Sequence, residues 1–193
     1  MKSKNQLLKD ALLLAKSNII PSKELFDICY INLSKICKKY NADETLTTIG
    51  LCLMDIKLGE AIDKNMLNMH VKMSSDFAKK FLKDYDLTKE ETEKIINCIE
   101  AHHKDISFSC IEAEICANLD CYRFIHPVGV LAYANILNEA KLSMKNQTIE
   151  LKKKLKEKHD ILSLDYVKQE LEHYYLEYEK QFDEILKTVE KEW

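Results

Sequence analysis

Asp43-Glu44-Thr45-Leu46-Thr47-Thr48-Ile49-Gly50-Leu51-Cys52-Leu53-Met54-Asp55-Ile56-Lys57 is the stretch on which the fold turns. Its apolar residues, Leu46, Ile49, Leu51 and Leu53, spread around the helical circuit instead of forming one stripe. Such a run is expected as a central helix, from Asp43 to about Lys57, packed on all sides. It carries Asp55 near its end, and a carboxylate there is costly to bury unless it is paired or bound to a cation.

Outward from this helix the same 3.6-residue periodicity recurs, and strand-like alternation is absent. Leu7, Leu8, Leu12 and Ala15 mark a first helix that ends before Pro21. Leu25, Ile28, Cys29, Leu33, Ile36 and Cys37 line one face of a second, from about Ser22 to Tyr40. After the central helix a loop around Gly59 leads into a helix over Asn65–Tyr85. Thr88-Lys89-Glu90-Glu91 reads as a capping box opening a helix that reaches His103, and Ser109-Cys110-Ile111-Glu112 as another opening the helix of Asp120. Pro127 suits the first turn of a helix from Val128 to about Leu142. Leu171, Tyr175, Tyr178, Phe182, Ile185 and Val189 describe a long amphipathic helix from Leu164 to about Glu190. With only three Gly and two Pro in 193 residues, little punctuation is left for hairpins. The expected fold is all-α: one domain over 1–193 of about nine helices, with a core at about 22–145 and a C-terminal helical extension at about 146–193.

The formal charge of −3 gives no electrostatic grip on nucleic acid. The basic run Lys152-Lys153-Lys154-Leu155-Lys156 is flanked by Glu150, Glu157 and Asp160 and reads as a solvated helix face. Seven scattered Cys form no CxxC pair or zinc-finger spacing, which suits a reducing compartment. Ala11-Leu12-Leu13-Leu14-Ala15 is too short, and too closely flanked by Lys9, Asp10 and Lys16, for a signal peptide or membrane span. A cytoplasmic address with no membrane partner is expected.

Four places carry residues suited to chemistry: Asp55, His70, the pair His102-His103, and Asp120. Carboxylate and imidazole together suit Mn, Fe, Zn or Ni. Each also has a structural reading, as a helix-terminal His or a buried Asp held by backbone or lysine. Arg123, the only arginine, suits bidentate phosphate recognition. Its spacing from Asp120, i to i+3, more simply predicts a salt bridge that makes Asp120 structural. Lys57, just after Asp55, is placed to meet a phosphate or to neutralise Asp55. His126, His159 and His173 are expected at the surface or in packing.

In order and spacing, these elements resemble the HD superfamily of metal-dependent phosphohydrolases over roughly residues 22–185. Leu46 to Met54-Asp55-Ile56 resembles the helix ending in that family's His-Asp pair, and His70 its next metal-binding histidine. Ile99-Glu100-Ala101-His102-His103 is similar to its I-x-x-H helix end, with His102 or His103 as the ligand. Ser109 to Ile115, then Asn118-Leu119-Asp120, resembles its "S-x-E-A-x-I … D-A-D" helix. The departures are equally clear. No His precedes His70, although the family places one near Leu25–Asp27. Met54 stands for the paired His, Ile56-Lys57-Leu58 for I-G-K, and Asn118 for the first Asp of D-A-D. In the family, two metals share the Asp of the pair. The resemblance implies that one metal's set survives as Asp55, His70 and His102, while the other's is largely replaced. Asn118, through its carbonyl, and Asp120 are the remaining candidate ligands.

The function so implied is hydrolysis of a nucleotide or other small phosphoester at one divalent ion (Mn, Fe, Zn, Ni or Mg), with Asp55, Lys57 and Arg123 as catalytic candidates. The alternative is a degenerate HD-fold module that binds a ligand or a protein without turnover. A third reading is a helical adaptor using Tyr166, Tyr174, Tyr175 and Tyr178 as a partner surface. The expected partners are a small phosphorylated molecule and, as a homodimer, a second copy of the chain.

Overall fold

The computed structural model of the chain describes residues 1–18 and 22–189. Pro21 and Glu190, the sequence bounds of the first and last helices, lie outside them. The described residues form ten α-helices: α1 (Lys4–Ser17), α2 (Lys23–Tyr40), α3 (Glu44–Leu53), α4 (Leu58–Asp63), α5 (His70–Phe81), α6 (Lys89–Glu100), α7 (Ile111–Ile125), α8 (Pro127–Glu139), α9 (Met144–Ile161) and α10 (Asp165–Val189). Among these residues there is no strand, only an isolated bridge between Lys2 and Tyr85. No helix among them is long and apolar enough to cross a membrane.

Local signals start most helices where they stand. Ser3, Ser22, Asp43 and Ser143 each accept a first-turn N–H on a side-chain oxygen, and the Thr88–Glu91 capping box is complete in both directions. Pro127 opens α8, where its missing N–H is not needed. The second expected box does not form: Cys110, not Ser109, is the N-cap of α7, and it makes no side-chain cap bond. Glu112 instead accepts the backbone N–H of Asp43 at 3.1 Å, so a residue expected to close a local cap ties α7 to the start of α3.

Two helices make the centre. α3 is buried at every position from Leu46 to Leu53 and packs on α1, α2, α6 and α7. α7 is buried along nearly its whole length and also meets α2, α8, α9 and α10. Gly50 sets the α3–α6 approach, since a Cβ there would lie 2.5 Å from Cys98 Cβ. All seven cysteines are free, and all but Cys110 are buried.

The central helix is shorter than expected. After Leu53 the ladder tightens into turns, with Ile56 N–H donating to Leu53 O (3.2 Å) and Leu58 N–H to Asp55 O (2.9 Å). Lys57 N–H leaves the ladder for Ser74 Oγ on α5. Asp55 therefore sits in a turn, and the expected loop at Gly59 is the short helix α4. Likewise α6 stops at Glu100, and His102 and His103 occupy the turn beyond it, which closes on Lys104 in the left-handed region at φ 62°. The expected Asn65–Tyr85 helix is α5 flanked by two single 3₁₀ turns.

Candidate metal centre

Five segments meet in one linked cluster: the turn after α3 (Asp55), the start of α5 (His70), the turn after α6 (His102, His103), α7 (Asp120, Arg123) and α9 (Lys158). On one side, His70 Nε2 and His102 Nε2 each lie 3.6 Å from Asp55 Oδ1. Their other ring nitrogens are held by backbone carbonyls: His70 Nδ1 is 2.6 Å from Leu67 O, and His102 Nδ1 is 2.7 Å from Ile99 O. A carbonyl only accepts, so each Nδ1 carries its proton, and in the neutral ring each Nε2 is then bare. Metal-binding histidines are held in this way. His102 Nε2 is buried and has no hydrogen-bond partner among the described residues. Ligand atoms of His70, His102 and His103 lie within 4.8 Å of one another, close enough to share a cation.

On the other side, Arg123 Nη1 is ion-paired with Asp55 Oδ2 and lies 3.0 Å from Asp120 Oδ1. Lys158 Nζ is 2.6 Å from Asp120 Oδ2 and 2.9 Å from His103 Nδ1. His103 Nε2 in turn is 3.2 Å from His70 Nε2, which closes a ring of contacts back to Asp55. Burial by itself would raise both carboxyls. The Arg123 guanidinium holds Asp55 well below the usual carboxylate range, and Lys158 and Arg123 do the same for Asp120. Burial works against the Lys158 ammonium, but Asp120 beside it raises its pKa. Burial first, and then the Lys158 ammonium, push His103 down to about 3, so it is neutral. The two carboxylates and two cations of the ring cancel.

The structure thus brings together Asp55, His70, His102, Asp120 and Arg123, with His103 added, and the i, i+3 pair of Asp120 with Arg123 is formed. Two expected residues point elsewhere. Asn118 accepts the N–H groups of Ser163 and Leu164 on Oδ1, both at 3.1 Å, and donates to Ser163 Oγ and Glu114 O; its carbonyl staples α7 to the α9–α10 turn. The Lys57 ammonium pairs with Glu60 at 2.8 Å and lies 4.9 Å from the Phe77 ring centre. Met54 is core, fully buried. Leu25 and Phe26, where the resemblance places a first histidine, line a pocket that also reaches Asp55 and Arg123. The position is in place but apolar. The tyrosines of α10 pack against the core, and Tyr175 stacks on His159.

Sequence reading passed over Lys158, which is completely buried although its neighbours Lys153 and Lys156 are exposed. The signal was there: Leu151, Leu155, Lys158 and Leu162 follow the 4-3-4 spacing of one helix face.

Two imidazoles and a carboxylate converging from three segments, with one bare buried nitrogen, fit a first-row divalent cation. No family model matches the chain, and no solved structure matches it. Ribonuclease Y of Finegoldia magna is similar to it at 36% identity over 70 residues, which is 36% of this chain and 12% of that protein's length. The likeness to known proteins is therefore weak and partial, and the histidine cluster is compatible with the hydrolase resemblance.

Proposed function

We propose that the chain is a metal-dependent phosphohydrolase-like protein whose site holds one divalent ion on Asp55, His70 and His102 and acts on a nucleotide or other small phosphoester. The observation that carries this reading is the pair of Nε2 atoms, both 3.6 Å from a single oxygen of Asp55. When bound, a divalent ion supplies Lewis acidity toward a phosphoryl oxygen. The protein's own residues do the rest. Leu67 and Ile99 orient the two imidazoles through their carbonyls. Asp55 offers Oδ1 to the site while Arg123 fixes Oδ2. The partial likeness to Ribonuclease Y, by its name an enzyme acting on RNA, supports phosphoester chemistry and makes RNA one substrate to try.

One feature favours binding without turnover as the second reading. In the two-metal family the second ion sits between the shared Asp and the late Asp, and here Arg123 bridges Asp55 to Asp120. A guanidinium supplies positive charge but no open coordination position. The test is a screen of nucleotides, an activated phosphodiester and short RNA, with Mn, Fe, Zn, Ni or Mg, on the wild type and His70→Ala. Turnover abolished by His70→Ala, with the fold retained, supports catalysis. An inert wild type under every metal leaves the binding module.

A further inference from the structure

His102 and His103 are neighbours in one turn, but they are held in opposite senses. His102 gives its Nδ1 proton to a carbonyl. His103 Nδ1 instead faces the ammonium of Lys158 at 2.9 Å, and an ammonium has only protons to give. That ammonium is buried completely and anchored by Asp120 at 2.6 Å. His103 Nδ1 must therefore accept, and a neutral ring then carries its one proton on Nε2. The neighbouring contact agrees, because His103 Nε2–H points at the bare Nε2 of His70, 3.2 Å away. For His103 to coordinate through Nε2, its proton would have to move to Nδ1, against the Lys158 ammonium.

We propose that Lys158 is a positioning residue: it holds His103 in the Nε2–H tautomer, which makes His102 the ligand of the pair and His103 a hydrogen-bond donor to the bound anion. The donor role rests on the metal reading above; the tautomer does not. Once a cation takes the lone pair of His70 Nε2, the His103 N–H loses the acceptor it has now. Its side chain is the most exposed of the three, 21% against 13% for His70 and 1% for His102. Of the three rings it is therefore the most open to an anionic oxygen arriving from solvent.

Long-range proton–nitrogen NMR reads tautomers directly. The test uses the metal-free wild type, Lys158→Met and Lys158→Arg, with ring signals assigned through single His→Gln variants. The expected wild-type spectrum has His103 protonated on Nε2, and His70 and His102 on Nδ1. Lys158→Met should move the His103 proton toward Nδ1, and Lys158→Arg should restore Nε2–H. Zinc should then shift His70 and His102 while His103 keeps its proton. Inorganic phosphate added to the zinc form should move the His103 N–H signal, with affinity at least about tenfold weaker in Lys158→Met, the scale of one lost hydrogen bond to a charged group. If Lys158→Met does not fold, the wild-type spectra decide. A His103 proton on Nδ1 in the metal-free protein, or zinc bound through His103 Nε2, would overturn the proposal. Zinc bound nowhere would overturn the metal reading and the donor role with it, and the metal-free spectrum would still decide the tautomer.

Discussion

Asp55 Oδ1 faces the Nε2 atoms of two imidazoles, while Oδ2, on the same carboxylate, faces a guanidinium that a second carboxylate and a buried lysine hold in place. The first side offers ligand nitrogens; the second has a cation supplied by the chain itself. The rule that a buried carboxylate needs a positive partner is met on the second side within the folded chain; in the proposed function an ion meets it on the first. If the proposed function holds, one side serves stability and the other binding, and substitutions on the two should separate these properties.

The largest effect belongs to the charged side. Arg123→Leu leaves Asp55 and Asp120 buried without their shared cation, an expected loss of about 3–5 kcal/mol. At roughly 2–4 °C per kcal/mol for a chain of this size, the thermal midpoint falls by roughly 6–20 °C. A calorimetric drop of under about 2 °C would remove Arg123 as the element that holds this side together. Gly50→Ala comes next. Its new Cβ would meet Cys98 Cβ at 2.5 Å, so α3 and α6 must separate, at about 1–3 kcal/mol. Those helices lead into Asp55 and His102, so zinc affinity by calorimetric titration should fall together with stability. Unchanged affinity would show that the binding side tolerates movement between them.

Acid should also act on the charged side. The folded value of Asp120 is depressed, so its contribution is present in full above the ordinary value of 3.8 and is lost as pH falls through the lower folded value. The thermal midpoint should hold from about pH 7 to 5 and drop below about pH 4. Asp120→Asn should make that acid limb shallower, and an unchanged limb would mean that Asp120 is not linked to folding. The smallest effect is expected outside both sides. Lys57→Ala removes an ion pair at the protein surface and should change stability by no more than about 0.5 kcal/mol, with metal affinity unchanged. A clear loss of affinity would return Lys57 to the site.

How much of this was legible in the sequence follows the same division. Helices were visible because periodicity and caps are local, as at Thr88 and Pro127. Their ends were less so: α3 stops before Asp55 because Lys57 N–H bonds Ser74 seventeen residues on, a tertiary choice that no local pattern carries. The binding side was readable as Asp55, His70 and a histidine at 102 or 103. The charged side was half readable, since Asp120 and Arg123 share a helix at i, i+3, but the Arg123 bridge to Asp55 spans 68 residues. Lys158 was hidden two residues beyond the basic run Lys152–Lys156, whose lysines are exposed or half-buried. Asn118 was misleading because its amide caps a distant turn, which only the packing of α7 on α9 and α10 defines.

The division of Asp55 is tested most directly by elemental mass analysis of the protein after loading with Mn, Fe, Zn, Ni or Mg and exhaustive desalting. Wild type should retain close to one equivalent of at least one of these metals, with Asp55→Asn and His70→Ala retaining none. Two equivalents would mean that Arg123 does not fill the second position, and no retained metal would leave the imidazole side without the cation it is arranged to hold.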